Sequence, residues 1–428
     1  MIDTQLLNKI CTTPGAPGFE QRVRELVLNE IKDLVDEVEI DNMGNVYSIK
    51  RGNESKRIMV GAHMDEIGFI VTHIDDNGFI RFHTLGGFDP KTLTAQRVIV
   101  HGTEDVIGVM ASKPIHVMSP EERNKVAKTK DYFIDTGMPA EEVKKRINIG
   151  DSITREREFI EMGDCVNGKS LDNRLAVFIL IETLKNLKGK EIPYDLYGVF
   201  TVQEEVGIRG ANVSSLRINP DFGFGLDTTI AFDLPGAAAH EKITELGKGT
   251  AIKIMDASTI CDYRMVKFMK NTADKHKIKW QPEILTAGGT DTAGIQRMTE
   301  GGSIAGAVSI PTRHLHQVIE MAHKEDVENV LEKTHCQPPE NYFITSGDMI
   351  GKSGVWAHFG SWNFNRAFIY NTLNKKEYSD DLDASVDFLQ KKFNYSKSDA
   401  ENLYYEVQSI KSSGQANDWI APWPGYAG

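Results

Sequence analysis

Runs of apolar residues alternate with segments of helical spacing over most of this chain. Strand-like apolar runs lie at 57–62, 196–202, 222–226 and 303–310. Apolar residues recur at helical spacing in other segments, namely 20–35, about 168 to 187, 263–277 and 325–333. Strands that alternate with helices are typical of α/β proteins. We therefore predict an α/β fold with a mixed sheet flanked by helices.

The segment 68–158 breaks this pattern. Short strand-like runs there alternate with turn signals such as Asn77-Gly78, and helical spacing is confined to 121–130 and 140–146. The segment is predicted to be a small β-rich, barrel-like domain inserted into the α/β chain. Its histidines show no metal-like spacing and are expected to be strand or surface residues: His73, His83, His101 and His116.

The last quarter of the chain has a third character. Residues 334–340 indicate a linker, and the extension 341–428 holds four of the five tryptophans. Helical spacing at 381–393 and 398–410 predicts that this extension is α-rich. Dense aromatic residues suit either stacking on a sugar or peptide, or a small core. We favour a small core docked on the main domain.

Composition and charge disfavour several classes of partner. The chain has 428 residues and a formal net charge of −12, which argues against nucleic acid and anionic membranes. Its longest apolar run, 175–181, is far too short to span a membrane, and residues 1–5 lack the features of a secretory signal. The four cysteines have no paired spacing, so we expect reduced thiols and a cytoplasmic protein.

Residue types that bind metals stand at the ends of all four strand-like runs. Ligands of open α/β sheets bind at the carboxyl ends of the strands, so these side chains are expected to meet. They are His63, Glu204, Glu205, Asp227 and His316. Asp172, at a helix start, adds one more position, although an aspartate there is often a simple cap.

This residue set indicates a hydrolytic metal site. Histidine and carboxylate without cysteine suit zinc, cobalt or manganese. Two histidines with three or more carboxylates exceed the needs of one catalytic zinc and suit two ions that share a bridging carboxylate. Of the adjacent Glu204 and Glu205, we expect one to be a general base and the other a ligand. Asp65 shares a face with His63, and such a carboxylate commonly orients a metal-binding histidine.

Two other functions stay open at this point. A glycoside hydrolase, of the endoglucanase type, needs two carboxyl groups that face each other across a bond, which adjacent glutamates do not obviously provide. A catalytically silent scaffold of the same fold would retain the ligands without purpose.

Six motifs, in this order, resemble the M42 metallo-aminopeptidases, the glutamyl, deblocking or TET-type aminopeptidases. They are VGAHMDEIG at 60–68, LDNR at 171–174, QEEVG at 203–207, LD at 226–227, GGTD at 288–291 and PTRHLH at 311–316. The resemblance covers about residues 1–333, and the inserted domain falls where the family has one. It implies a dinuclear-metal peptidase fold, with 1–67 and 159–333 as the catalytic domain and 68–158 as a dimerisation domain.

The resemblance also implies residue roles. His63, Asp172 and Asp227 would hold one divalent ion, and Asp172, Glu205 and His316 the other, with zinc or cobalt as the preferred ions and manganese as the alternative. Glu204 would be the general base, and Asp65 would orient His63. The implied activity removes N-terminal residues from short peptides with a free N-terminus. The implied assembly is a homo-oligomer of twelve subunits built from dimers.

The C-terminal extension carries a second, local resemblance. Residues 355–364, VWAHFGSWNF, are similar to soluble segments of archaeal oligosaccharyltransferase catalytic subunits. Without membrane spans this similarity implies no transferase activity and suggests a fused or chimeric chain. M42 enzymes ordinarily end soon after the final helix, so the extension could hinder the twelve-subunit assembly.

Overall fold

The computed structural model describes residues 2–335 and 382–393 and the isolated positions 397, 400, 401, 404 and 405. The helices in this part of the chain are α1 (Thr4–Thr12), α2 (Gln21–Ile31), α3 (Pro120–Arg123), α4 (Ala140–Arg146), α5 (Leu171–Leu187), α6 (Arg209–Ile218), α7 (Tyr263–Lys275), α8 (Thr292–Arg297), α9 (Lys324–His335) and α10 (Leu382–Phe393). The strands are β1 (Glu37–Ile40), β2 (Val46–Lys50), β3 (Glu54–His63), β4 (Gly68–Ile74), β5 (Ile80–Leu85), β6 (Arg97–His101), β7 (Asp105–Ala111), β8 (Phe133–Asp135), β9 (Ser152–Arg155), β10 (Ile160–Met162), β11 (Cys165–Gly168), β12 (Tyr194–Thr201), β13 (Phe222–Ile230), β14 (Thr250–Met255), β15 (Trp280–Ile284), β16 (Ile304–Arg313) and β17 (Glu320–His323).

Eleven of the described strands form one mixed sheet. Its order is β1-β2-β12-β3-β13-β16-β17-β11-β10, and β14 and β15 extend it from β16. The central strands β12, β3, β13 and β16 run parallel. Helix α5 packs on β3 and β13. Helix α8 contacts the same two strands, while α6 contacts β3, β12 and α8. Because parallel strands are covered on both faces, they read as continuous apolar runs in the sequence.

Helix α5 is buried along nearly its whole length. The sheet lies against one side of it, and α1, α2 and α9 contact it elsewhere. A helix covered in this way needs no polar face, which explains the apolar run 175–181. Its burial brings Asp172, near its N-terminal end, into the interior of the molecule.

The inserted segment folds as a closed barrel of six strands. Their order around the barrel is β4-β5-β8-β7-β6-β9. Strand β7 alternates buried and exposed residues, so Val106 and Met110 point into the barrel core while Ile107 and Val109 point outward. The predicted α/β architecture with an inserted barrel is therefore confirmed.

Two predicted helices are shorter in the structure. The helix predicted at 121–130 is reduced to the single turn α3. The large apolar residue of that segment, Val126, is 63% exposed, so the segment has no apolar stripe to bury and a lone short helix is unstable. The helix predicted at 20–35 ends at Ile31, because the backbone N–H of Asp36 already donates to Ile49 O as the chain enters β1.

Several strands are not predicted from the sequence, because their pairing with neighbouring strands defines them and not an apolar sequence pattern. Strand β15 contains Pro282 and Glu283, and β17 contains the acidic Glu320, so neither has an apolar run. They form because β14, β11 and β16 offer free edges. Strand β17 matters for function, since it begins with Glu320 beside the candidate site.

The chain divides into two compact units, Met1–Phe343 and Ile344–Gly428. In the second unit, α10 confirms the helix predicted at 381–393. Of the predicted helix 398–410, positions 400, 401, 404 and 405 are helical, and the rest lies outside the described residues, as do 341–381 and 411–428. Helix α9 continues to His335, into the segment predicted as a linker. No described helix is both long and apolar enough to cross a membrane.

Candidate active site

The register of the parallel strands brings the predicted residues to one edge of the sheet. His63 ends β3 and pairs with Thr201, the last residue of β12, two residues before the turn that carries Glu204 and Glu205. Strand β13 pairs with β3 as far as Gly225 opposite Gly61. Extending that register by two residues puts Asp227 level with His63.

The position of Asp227 corrects the sequence prediction. It lies inside β13, which continues to Ile230, and not beyond the strand end. The strand is longer than its apolar run because it stays paired with β16 through Ile230, after the pairing with β3 has ended. Asp227 therefore faces the site from a regular strand, on the side where the pairing with β3 has ended.

Asp172 also differs from expectation. Its backbone is not helical (φ −78°, ψ 108°), although α5 formally begins at Leu171. Its carboxyl group does not cap the helix and instead lies between two histidines. Asp172 Oδ1 is 3.3 Å from His63 Nε2, and Asp172 Oδ2 is 3.4 Å from His316 Nε2. One carboxylate therefore serves two clusters.

The first cluster comprises His63, Asp172 and Asp227, all buried, and the second comprises Asp172, Glu205 and His316. In each, the potential ligand atoms lie within 4.8 Å of one another. His63 Nε2 is 3.7 Å from Asp227 Oδ1, and His316 Nε2 is 3.5 Å from Glu205 Oε2. The barrel histidines belong to neither cluster.

Glu204 stands beside both clusters without joining either. Its Oε2 is 3.9 Å from His63 Nε2, and its side chain is 10% exposed. Burial raises the pKa of Glu204 well above its usual value, against the opposing charge of His63.

Asp65 connects His63 to the glutamate pair. Its carboxylate accepts hydrogen bonds from the backbone N–H of Glu204 at 3.0 Å and of Glu205 at 3.1 Å. His63 Nδ1 lies 3.1 Å from the Asp65 carbonyl oxygen and 3.4 Å from its carboxylate. Asp65 therefore contacts the histidine and also holds the backbone of the two glutamates, which the sequence pattern did not indicate.

Glu320 was missed in the sequence. It is 1% exposed and accepts hydrogen bonds from the backbone N–H of Asp172 and of His316. Asp291, which was seen in a motif but given no role, is also buried and accepts a hydrogen bond from Thr201 Oγ1. Neither residue stands at the end of a clear apolar run, so the sequence alone does not indicate that these two side chains are buried.

Burial and crowding shift the pKa values within the clusters. Burial raises the pKa of Glu205 to about 8, against the opposing charge of His316, and burial also raises the pKa of Asp227. Burial alone would lower the pKa of His316, but Glu205 and Asp172 outweigh it and raise that pKa to about 10. Anions packed this closely are stabilised when cations lie between them.

The donor set fits divalent metal ions. Imidazole and carboxylate groups without thiolates suit zinc, cobalt or manganese. Glu205 Oε1 is buried and has no hydrogen-bond partner within the described part of the chain, as expected of an atom that awaits a cation.

A cleft of about 490 Å³ opens onto both clusters. Its wall includes Lys253, which is 1% exposed and lies 3.1 Å from Asp256 Oδ2 and 2.9 Å from Glu283 Oε1. Thr229 and Thr290 donate hydrogen bonds to the same two carboxylates. The cleft is large enough for an amino-acid side chain beside the clusters.

Comparison with known proteins decides the family. The profile of the M42 glutamyl aminopeptidases matches residues 44–332. The chain belongs to this family. The family assignment makes it an aminopeptidase.

Individual relatives agree with the family assignment. The lysyl aminopeptidase of Pyrococcus furiosus is 33% identical over 343 residues, which are 77% of this M42 chain and 95% of that protein. The aminopeptidase APDkam598 of Desulfurococcus kamchatkensis is 37% identical with a TM-score of 0.74, covering 77% and 93% of the two chains. The TET1 peptidase of Pyrococcus horikoshii is 32% identical with a TM-score of 0.70, covering 77% and 97%.

Proposed function

We propose that this M42 aminopeptidase uses two divalent ions and Glu204 to remove N-terminal residues from short peptides. The observation that carries the proposal is the shared carboxylate of Asp172, whose two oxygens each face a different histidine. His63 and Asp227 would complete one ligand set with Asp172, and Glu205 and His316 the other. Zinc or cobalt suits these donors best, with manganese as the alternative.

The ions, when bound, would lower the pKa of a water molecule and polarise the scissile carbonyl. The residues of the chain supply the proton transfer. The Glu204 carboxylate takes a proton from the attacking water as the new C–O bond forms, and it passes that proton to the leaving amine nitrogen as the C–N bond breaks. The buried acids of the site also favour a substrate with a positively charged α-amine, which restricts cleavage to the first residue.

The test compares two adjacent glutamates with identical chemistry. Glu204→Gln is expected to lower kcat on aminoacyl-nitroanilides by about 10²–10⁴-fold while the metal content per chain stays unchanged. Glu205→Gln serves as the matched control, since it should lower both the metal content and the activity. Peptidase activity retained in Glu204→Gln would refute its role as base.

We also propose that the enzyme assembles through its barrel. Its outer face carries exposed apolar side chains, with Ile107 at 63% and Val109 at 46% on β7 and Val117 at 64% after it. The TET1 peptidase of Pyrococcus horikoshii can assemble into a tetrahedron or a large octahedral shell. Dimers that pair barrel to barrel and build a twelve-subunit particle would bury these side chains.

A cytoplasmic location belongs to the same proposal. The described cysteines, Cys11, Cys165 and Cys261, form no disulfide. Thiols that stay reduced suit a reducing compartment.

A further inference from the structure

We propose that Glu320 is a positioning residue that fixes Asp172 and His316 at the distance needed to hold the second ion. The inference rests on the proposed two-ion function and goes beyond it, because Glu320 belongs to neither cluster. Its carboxylate touches the backbone of two candidate ligands from distant parts of the chain. Glu320 Oε2 accepts a hydrogen bond from Asp172 N at 3.0 Å, and Oε1 accepts one from His316 N at 2.8 Å.

Both of these ligands lie in irregular backbone that secondary structure does not hold. Asp172 has extended dihedrals at the start of α5, and His316 has φ +62°, which is left-handed. Their N–H groups would otherwise have no helix or strand partner. A single carboxylate that receives both N–H groups therefore fixes the spacing between the two segments.

Glu320 is itself firmly held. It opens β17 and pairs with Gly168 of β11, a few residues before Asp172. The Asn167 side chain donates hydrogen bonds to the backbone oxygens of Ile319 and Glu320 at 2.8 and 3.0 Å. The carboxylate thus projects from an anchored strand end, as a rigid support for neighbouring ligands must.

The same device occurs on the other side of the site. Asp65 receives the N–H groups of Glu204 and Glu205, as Glu320 receives those of Asp172 and His316. The carboxylates of Asp65 and Glu320 thus hold the backbone of four of the six residues to which the proposed function assigns metal binding or proton transfer. His316 gains further support from Arg155, whose Nη1 donates to its carbonyl oxygen at 3.0 Å.

The test measures cobalt(II) binding to the metal-stripped full chain by calorimetry and by visible absorption. The wild-type chain should bind two ions. Glu320→Gln keeps one acceptor oxygen but turns its amide N–H₂ toward the other backbone N–H. In this variant one of the two cobalt affinities should fall about 10–100-fold, and the cobalt absorption spectrum should change. His63 and Asp227 do not contact Glu320, so the other affinity should fall less.

Asp326→Asn is the matched control. Asp326 is a buried carboxylate that also accepts two backbone N–H groups, from Gly247 and Gly249 at 2.7 Å each, away from the clusters. It should lose thermal stability but keep both cobalt affinities. Equal losses of affinity in the two variants, or unchanged affinities and spectrum in Glu320→Gln, would overturn the positioning role.

A second variant covers the case in which Glu320→Gln does not fold. Glu320→Asp keeps the carboxylate but is one methylene too short to reach both N–H groups, so its cobalt affinity should also fall, by less than that of the amide. Wild-type affinities in a folded Glu320→Asp would overturn the inference. Fewer than two ions on the wild-type chain would overturn the two-ion function itself, whatever the variants do.

Discussion

At the scale of the residue, the site depends on carboxylates in three different roles. Asp172 faces two histidines at once, Glu204 lies beside them with its Oε2 3.9 Å from His63 Nε2, and Asp65 and Glu320 accept hydrogen bonds from backbone N–H groups. The side-chain type is the same or nearly so in each case. Under the proposed function, burial and neighbours decide which acid binds a cation, which one moves a proton and which one acts as a support.

Asp65→Asn should separate support from catalysis. The amide keeps one acceptor for the N–H groups of Glu204 and Glu205 and places its own N–H₂ against the other. Since the proposed base, Glu204, and the proposed ligand, Glu205, would both shift, kcat/KM for an aminoacyl-nitroanilide is expected to fall about 10–100-fold. A loss confined to thermal stability, like that expected of Asp326→Asn, would contradict this role.

At the scale of the element, neighbouring strands combine to build single features. The barrel segment contributes to the candidate site, because the His316 Nδ1 atom lies 2.8 Å from Gly87 O, just after β5, while Arg155 of β9 donates to the His316 carbonyl. Strands β14 and β15 bring Lys253 and Glu283 together under the cleft. Neither feature exists on one element alone.

Lys253→Met tests the buried charges between β14 and β15. Methionine fills a similar volume but leaves Asp256 and Glu283 buried without their cation, so the free energy of unfolding should fall by about 3–5 kcal/mol. Urea unfolding of the full chain measures this loss.

The double variant Lys253→Met with Glu283→Gln provides the control for that experiment. Removing one of the two unpaired charges should restore part of the lost stability. A single variant as stable as the wild type at neutral pH would show that the lysine does not compensate these carboxylates.

At the scale of the whole molecule, the inserted barrel does two things. It supports His316 from the inside, and it presents apolar side chains on the outside. The family profile ends at residue 332, so the C-terminal extension lies outside the part that matches known aminopeptidases. Catalysis and assembly are therefore expected to depend on the first unit, Met1–Phe343.

Ile107→Asp with Val109→Asp should reduce the particle mass in solution. Two charges on the outer face of β7 would have to be buried in a barrel-to-barrel contact, which is costly without partners. Light scattering of the full chain measures the mass. Leu216→Asp, at a 61% exposed position of α6, is the control and should leave the particle intact. A double variant with wild-type mass would place the contact elsewhere.

The sequence by itself determined the α/β pattern, the insertion of a β-rich segment and the identity of the residues gathered at the site. Apolar periodicity reflects which faces are buried. Metal-binding residue types at strand ends indicate a site even when the order of the strands in the sheet is not known. His63, Glu204, Glu205 and His316 were visible for this reason. The helix predicted at 121–130 is only one turn long in the structure, because periodicity without burial does not stabilise a helix.

Only the tertiary structure decided how the backbone holds these residues in place. Asp227 lies within a strand whose length depends on pairing with β16, and Asp172 lies in backbone that no helix rule describes. Glu320 belongs to a polar strand that forms only against β11 and β16. Pairing, register and backbone hydrogen bonds join residues far apart in sequence, so no local pattern can encode them.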